Sequence, residues 1–216
     1  MKIAVLGTGI VGRTIGARLA GLGHQVGMGS RTAANDTGAD WVAATGGESS
    51  HGTFADVTEN AQMVFNCTSG VASLDALRAA GAANLAGKVL VDAANPLDFS
   101  HGMPPTLSVC NTDSLGEQIQ REFPEARVVK ALNTMNALVM VEPSRVAGDH
   151  DVFICGNDPG AKAAVVEVLR SFGWPQASIV DLGLITSSRG TEMYLPLWLH
   201  LRGALGTGDL NIKVVH

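Results

Sequence analysis

Gly7-Thr8-Gly9-Ile10-Val11-Gly12 follows a short apolar run, Lys2-Ile3-Ala4-Val5-Leu6, and opens a helical pattern. Only in that setting does a GxGxxG segment have a chemistry. Gly7 permits a tight turn, Gly9 lets the backbone approach a pyrophosphate, and Gly12 lets helix and strand pack closely. The helix N-terminus offers N–H groups and positive dipole to the anion. The plain alternative is a glycine-rich turn that binds nothing. A unit that binds NAD carries an acidic residue about 20 residues on, at the end of the second strand, for the ribose 2′-hydroxyl. Gly29-Ser30-Arg31-Thr32 stands there instead. A guanidinium at Arg31 can lie against a 2′-phosphate while the hydroxyls of Ser30 and Thr32 donate to it, so the expected nucleotide is NADP. A solvated polar turn would read the same way.

Ligands of open α/β sheets bind beyond the carboxyl ends of the strands. The other strand ends read Cys67-Thr68-Ser69-Gly70, Asp92-Ala93-Ala94-Asn95-Pro96 and Asn133-Thr134-Met135-Asn136-Ala137. All are small and polar, and none presents a Lys/Asp or His/Asp pair to a substrate. Thr68 and Ser69 could equally cap a helix, and Asn133 and Thr134 could simply form a turn. A dehydrogenase acting on an alcohol or amine places a general acid or base for the proton that accompanies the hydride. Two bound redox cofactors need only binding, orientation and exclusion of water. The expectation is therefore hydride transfer between cofactors with no catalytic side chain. The histidines are scattered singly and read as surface or core residues. Cys67, Cys110 and Cys155 are isolated and odd in number, so they are expected as buried reduced thiols, with no disulfide framework and no metal site.

The elements that must position these residues follow from periodicity. Runs rich in Val, Ile and Leu alternate with helical patterns, the sequence form of a mostly parallel sheet covered on both faces. Strands are expected at about 2–6, 25–29, 51–54, 62–66, 88–92, 127–132, 151–155 and 178–181. Ile15, Leu19 and Leu22 make one stripe of a helix that Gly23 stops. Ser114 with Glu117 predicts a capping box for a helix at 114–122, and Pro159 with Gly173 brackets another at 159–172. Residues 93–113, with three prolines, read as a long irregular loop. From 183 to 210 apolar residues surround most of a helix, which must be buried in its own domain or in a second subunit.

With 216 residues, 46% hydrophobic and 16% charged, the chain can bury a real core. Its net charge of −5 lacks the basic footprint of a nucleic-acid binder. The longest apolar run is too short for a membrane span, and the N-terminus enters a strand at once rather than a signal-peptide core. A cytoplasmic enzyme with small-molecule partners, no nucleic acid and no membrane is expected.

On these residues the chain resembles the NADPH:coenzyme F420 oxidoreductases, which pass hydride between NADP and a 5-deazaflavin. The resemblance runs through Val5-Leu6-Gly7-Thr8-Gly9, Gly29-Ser30-Arg31, Val128-Val129-Lys130-Ala131-Leu132-Asn133-Thr134 and Val152-Phe153-Ile154-Cys155-Gly156-Asn157-Asp158. It extends to the closing Gly208-Asp209-Leu210-Asn211-Ile212-Lys213. It implies that Thr8 to Val11 wrap the pyrophosphate and that Ser30 and Arg31 hold the 2′-phosphate. It also implies that the loops at Thr68-Ser69 and at Asn133, Thr134 to Ala137 border the nicotinamide and coenzyme F420, and Asn95, at its own strand end, is read as a cofactor-binding residue with them. The chain departs from archaeal members where they carry Gly-Gly-Thr-Gly, a His in place of Asn133, and Ile-Pro-Trp in place of the Cys67 loop. The Val129–Thr134 and Cys155–Asp158 runs are also similar to the cytosolic domain of the STEAP metalloreductases, so a soluble NADPH-dependent flavin or ferric reductase using FAD or FMN is the alternative. A non-catalytic NADP-binding sensor is a third. The expected architecture is a Rossmann-type doubly wound sheet: residues 1–150 bind NADP, and residues 151–216 form a small α/β and helical cap with second-cofactor and homodimer contacts.

Overall fold

A computed structural model describes residues 1–215. β1 (Lys2–Leu6) leads into α1 (Ile10–Gly21), β2 (Gln25–Ser30), α2 (Asp36–Thr45), β3 (Ser49–Thr53), α3 (Phe54–Glu59) and β4 (Met63–Asn66). Next come α4 (Ser73–Ala80), α5 (Ala82–Leu85), β5 (Val89–Asp92), and the two-stranded hairpin β6 (Leu97–Asp98) and β7 (Thr106–Leu107). The chain continues with α6 (Leu115–Glu122), β8 (Arg127–Ala131), α7 (Ala137–Val141), β9 (Val152–Gly156), α8 (Pro159–Phe172), β10 (Ile179–Asp181), α9 (Ser188–Met193) and α10 (Leu195–Leu205).

Eight strands form one sheet in the order β10-β9-β8-β5-β4-β1-β2-β3. Every pairing is parallel except β8 with β9, where Lys130 faces Cys155 in antiparallel register. The order reverses between β1 and β4, which opens a crevice over their carboxyl ends. Side chains alternate across a strand, and the core is accordingly split in two. Ile3 and Val5 pack with Ile15, Leu19 and Phe172 on one face, and Ala4 and Leu6 with Leu77, Leu90 and Ile119 on the other. Each fully buried Leu or Ile contributes roughly 1.5–3 kcal/mol, so both faces fix the register of the strands whose ends form the site.

All eight expected strands are present, and the one that shifts does so for a local reason. β3 ends at Thr53 because the Thr53 hydroxyl accepts from the Asp56 N–H while the Asp56 carboxylate accepts from the Thr53 N–H, a capping box that draws Phe54 into a helix. At α6 only half of the expected box forms. The Ser114 hydroxyl accepts from the Glu117 N–H, but the Glu117 carboxylate turns to Arg189, with Nη2 and Oε1 2.5 Å apart. α8 follows expectation, with Asp158 capping it, Pro159 in its first turn and Gly173 in the left-handed region. The loop at 93–113 contains the β6–β7 hairpin, and Cys110 on it is exposed, so only Cys67 and Cys155 are the buried thiols expected. In α10, Leu195 and Trp198 turn inward while Leu197 and Leu205 remain 55% and 62% exposed. The described residues contain no helix long and apolar enough to cross a membrane and no cluster of potential metal ligands.

Candidate functional site

Three glycines shape the first turn for three different reasons. Gly7 takes a φ of 112°, and a Cβ there would stand 2.7 Å from the Cys67 carbonyl oxygen. At Gly12 a Cβ would come within 1.9 Å of the Gly7 oxygen, so α1 can approach the turn only without one. A Cβ on Gly9 meets nothing within 4 Å. Gly9 faces open space, and it caps α1 with no side chain engaging the first amides. An uncapped helix N-terminus behind an open glycine is the cradle an anion such as a pyrophosphate needs.

The open space is a cleft of about 750 Å³ that runs along the carboxyl ends of β2, β1 and β4. It brings together Gly7, Thr8, Gly9, Ser30, Arg31, Thr32, Thr68 and Ser69, with Asn35 and Phe54 beside them. Ile10 stands outside it, exposed on the first turn of α1, while Val11 is half-buried and Gly12 is buried beneath the turn. Arg31 is exposed and makes no ion pair among the described residues. Beside it Ser30 donates to the Thr32 carbonyl at 2.5 Å and Thr32 to that of Ala34 at 3.2 Å. Arg31 is left with the free donors.

Neither Thr68 nor Ser69 caps a helix with its side chain. The Thr68 hydroxyl donates to Asn66 Oδ1 at 2.7 Å and lies 2.9 Å from the Ser73 hydroxyl. Asn66 in turn donates to Asp92 Oδ1 at 2.8 Å. Asp92 receives the Lys130 ammonium at 2.8 Å, and Lys130 reaches Glu192 on α9 at 2.7 Å and the Ala94 carbonyl at 2.5 Å. The Glu192 carboxylate also accepts the N–H groups of Leu115 and Gly116 at the start of α6. Asp92, Lys130 and Glu192 are all buried. Burial alone would lower the Lys130 pKa, but the two carboxylates outweigh it and hold the ammonium above its ordinary range.

Asn95 and Asn133 bind each other twice: Asn95 Nδ2 donates to the Asn133 carbonyl at 2.8 Å, and Asn133 Nδ2 to Asn95 Oδ1 at 2.9 Å. Asn133 Oδ1 is buried without a partner among the described residues, one acceptor left over beside the strand ends. Leu132, just before it, sits at a φ of 67°, a conformation an L-residue holds only when its surroundings enforce it. Thr134 is buried, and Ala137 opens α7, where Asn136 Oδ1 accepts the N–H groups of Leu138 and Val139. Asn136 also donates to the Gly208 carbonyl and to Asp209, tying the C-terminal segment to this loop. Sequence reasoning missed Asn66, Lys130 and Glu192. The signal for one of them was a lysine inside Val128-Val129-Lys130-Ala131, a strand covered on both faces, where a charge must have a partner.

Residues 2–96 match the family model described as NADP oxidoreductase, coenzyme F420-dependent. A crystal structure from Arthrobacter sp. FB24, provisionally named an F420-dependent NADP-reductase, is 56% identical and superposes with a TM-score of 0.94 over 100% of both chains. The chain belongs to the F420-dependent NADP oxidoreductase family. The F420-dependent NADP reductase of Methanocaldococcus jannaschii is 29% identical over 133 residues, 61% of this chain and 58% of that protein. Metalloreductase STEAP3 of Rattus norvegicus is 30% identical over 204 residues, 91% of this chain and 38% of its own length. The chain thus spans less than two thirds of the length of each of these two curated relatives.

Proposed function

We infer that this protein transfers a hydride between NADP(H) and the deazaflavin coenzyme F420. The observation that carries the nucleotide half is an unpaired Arg31 where the cleft meets the end of β2, the place of the acidic residue that would select NAD. Membership of the family carries the deazaflavin half. In this reading the open Gly9 turn and the first amides of α1 hold the pyrophosphate, with Thr8, Ile10 and Val11 around it. Arg31 holds the 2′-phosphate, and the Ser30 and Thr32 oxygens shape its turn. Thr68, Ser69, Asn95, Asn133 and Thr134 border the two rings, and α7 from Ala137 closes the far side.

Were both cofactors bound, they would supply the redox chemistry between themselves, with no side chain of this chain required as acid or base. The protein's task is orientation at close range and exclusion of water, which small polar residues at strand ends suit. NADPH carrying deuterium on the transferred face should place one non-exchanging deuterium on the reduced deazaflavin, read by mass spectrometry. An ordinary flavin accepts at N5, whose hydrogen exchanges with solvent. The similarity to STEAP3 over most of this chain favours flavin or ferric ion as the second reading. Brisk turnover with those acceptors and none with deazaflavin would replace the first reading by the second, and NADPH binding without turnover on any acceptor would leave a sensor.

Residues 151–216 we assign to the second-cofactor side and to a two-fold dimer. Leu184, Leu197 and Leu205 remain largely exposed, and a second copy laid over α10 would cover them. Light scattering at micromolar concentration should give twice the chain mass; a stable monomer would reject the dimer.

A further inference from the structure

Asp92, Lys130 and Glu192 form a charged cluster that the hydride transfer itself does not consume. Its net charge follows from the hydrogen bonds it receives. Both Asp92 oxygens face only donors: Asn66 Nδ2 and the Ala94 N–H on one, Lys130 on the other. Both Glu192 oxygens likewise face only donors, from Lys130, Leu115 and Gly116. Two carboxylates and one ammonium therefore leave one negative charge in excess, with all three side chains at most 1% exposed. The amides of α6 spread part of the Glu192 charge but bring no proton.

The position of this charge relative to the cleft follows from the sheet. A dinucleotide with its pyrophosphate on Gly9 and its 2′-phosphate on Arg31 lays its adenosine over β2, so its nicotinamide half runs the other way, toward β4, β5 and β8. Asp92 ends β5, Lys130 lies beside it on β8, and Asn66 links Asp92 to Thr68 in the cleft wall. The oxidised nicotinamide ring carries a positive charge that the reduced ring lacks. We propose that the buried cluster sets the redox balance of the bound nucleotide, holding NADP+ more tightly than NADPH and so making bound NADPH the stronger hydride donor. The inference rests on the NADP(H) reading above.

Cys67 stands in the cleft wall beside Asp92. Burial first, and the Asp92 carboxylate second, push its thiol far above the ordinary range. Arg31 stands at the opposite, adenosine end, and Arg189 is engaged by Glu117, so neither neutralises the cluster.

The test is a pair of calorimetric titrations, NADP+ and NADPH separately, with no acceptor present. A unit charge acting through a partly solvated site should make NADP+ bind about three- to tenfold more tightly than NADPH in the unaltered protein. In Glu192→Gln, checked for folding by circular dichroism, that ratio should fall to about one. An unaltered protein whose ratio is already one or below overturns the proposal, as does a folded variant with an unchanged ratio. If the variant does not fold, the ratio in the unaltered protein decides alone. Binding of neither nucleotide to the unaltered protein overturns the NADP(H) reading, and this inference with it, which separates the two failures.

Discussion

At the β1–β2 end of the cleft, the groups facing the open space over Gly9 are backbone amides and one guanidinium that makes no ion pair among the described residues. At the β4 end the cleft wall at Thr68 rests on a buried lattice that runs on through Asn66, Asp92 and Lys130, beneath β5 and β8, to Glu192. The first end is built from consecutive residues, and the second joins positions from 66 to 192. The first is made where the chain turns, the second where distant segments lock together. The two ends should therefore fail differently, the first in affinity and the second in stability.

The largest expected effect is at the lattice. Lys130→Met would leave two buried carboxylates facing one another without their cation, a loss of about 3–5 kcal/mol. Urea denaturation should record it, and a loss within 1 kcal/mol would mean that the lattice does not hold the fold. The glycine turn sharpens the comparison from inside a single motif. Gly12→Ala drives a methyl into the Gly7 carbonyl and should cost about 3 kcal/mol, roughly 6–12 °C in Tm. Gly9→Ala, with nothing within 4 Å of the new methyl, should leave Tm almost unchanged while weakening nucleotide binding. Unchanged nucleotide affinity in Gly9→Ala would show that the open face of Gly9 is not a binding surface.

Next in size is Arg31→Ala, which removes a charge-assisted contact worth roughly 1.5–3 kcal/mol, about ten- to a hundredfold in NADPH affinity. NADH binding should barely change, and a parallel loss for both nucleotides in a fluorescence titration would make Arg31 structural.

The smallest effect concerns pH. Burial would raise the Asp151 pKa, but Lys213 and the Val214 N–H outweigh it and hold the carboxyl below its ordinary range. Arg189 does the same for Glu117. A carboxylate depressed in the folded state stabilises above its unfolded pKa and loses that contribution as pH falls through the folded value. Lys130 has the opposite sign: its stabilisation is complete below the unfolded pKa and is lost as pH climbs through the raised folded value. Urea midpoints should fall below about pH 4, and Asp151→Asn should flatten that limb by about 1 kcal/mol.

What could be read from the sequence divides along the same line. The strands, the Gly7–Gly12 turn and the Ser30–Thr32 turn are consequences of neighbouring residues, so periodicity and spacing reveal them. The half-formed box at Ser114 and Glu117 is different. Its residues match the local rule, yet Glu117 is drawn off by Arg189, 72 positions away. Glu192 shows no local sign at all, because its partners are a lysine on β8 and two amides at the start of α6. Local chemistry is legible in a single sequence; chemistry assembled by packing is not.

The distribution of sulfur has a consequence for chemical durability. Thiol oxidants and alkylating reagents attack the thiolate, so a site loses function to them only where one forms. Burial pushes the Cys155 thiol up to about 12, and that of Cys67 still further. Cys110 on the hairpin side is the only exposed thiol among the described residues. Peroxide or a maleimide should therefore reach Cys110 first, and the cleft should keep its nucleotide affinity after one equivalent has reacted. The same thiol becomes a single-site handle for a fluorophore.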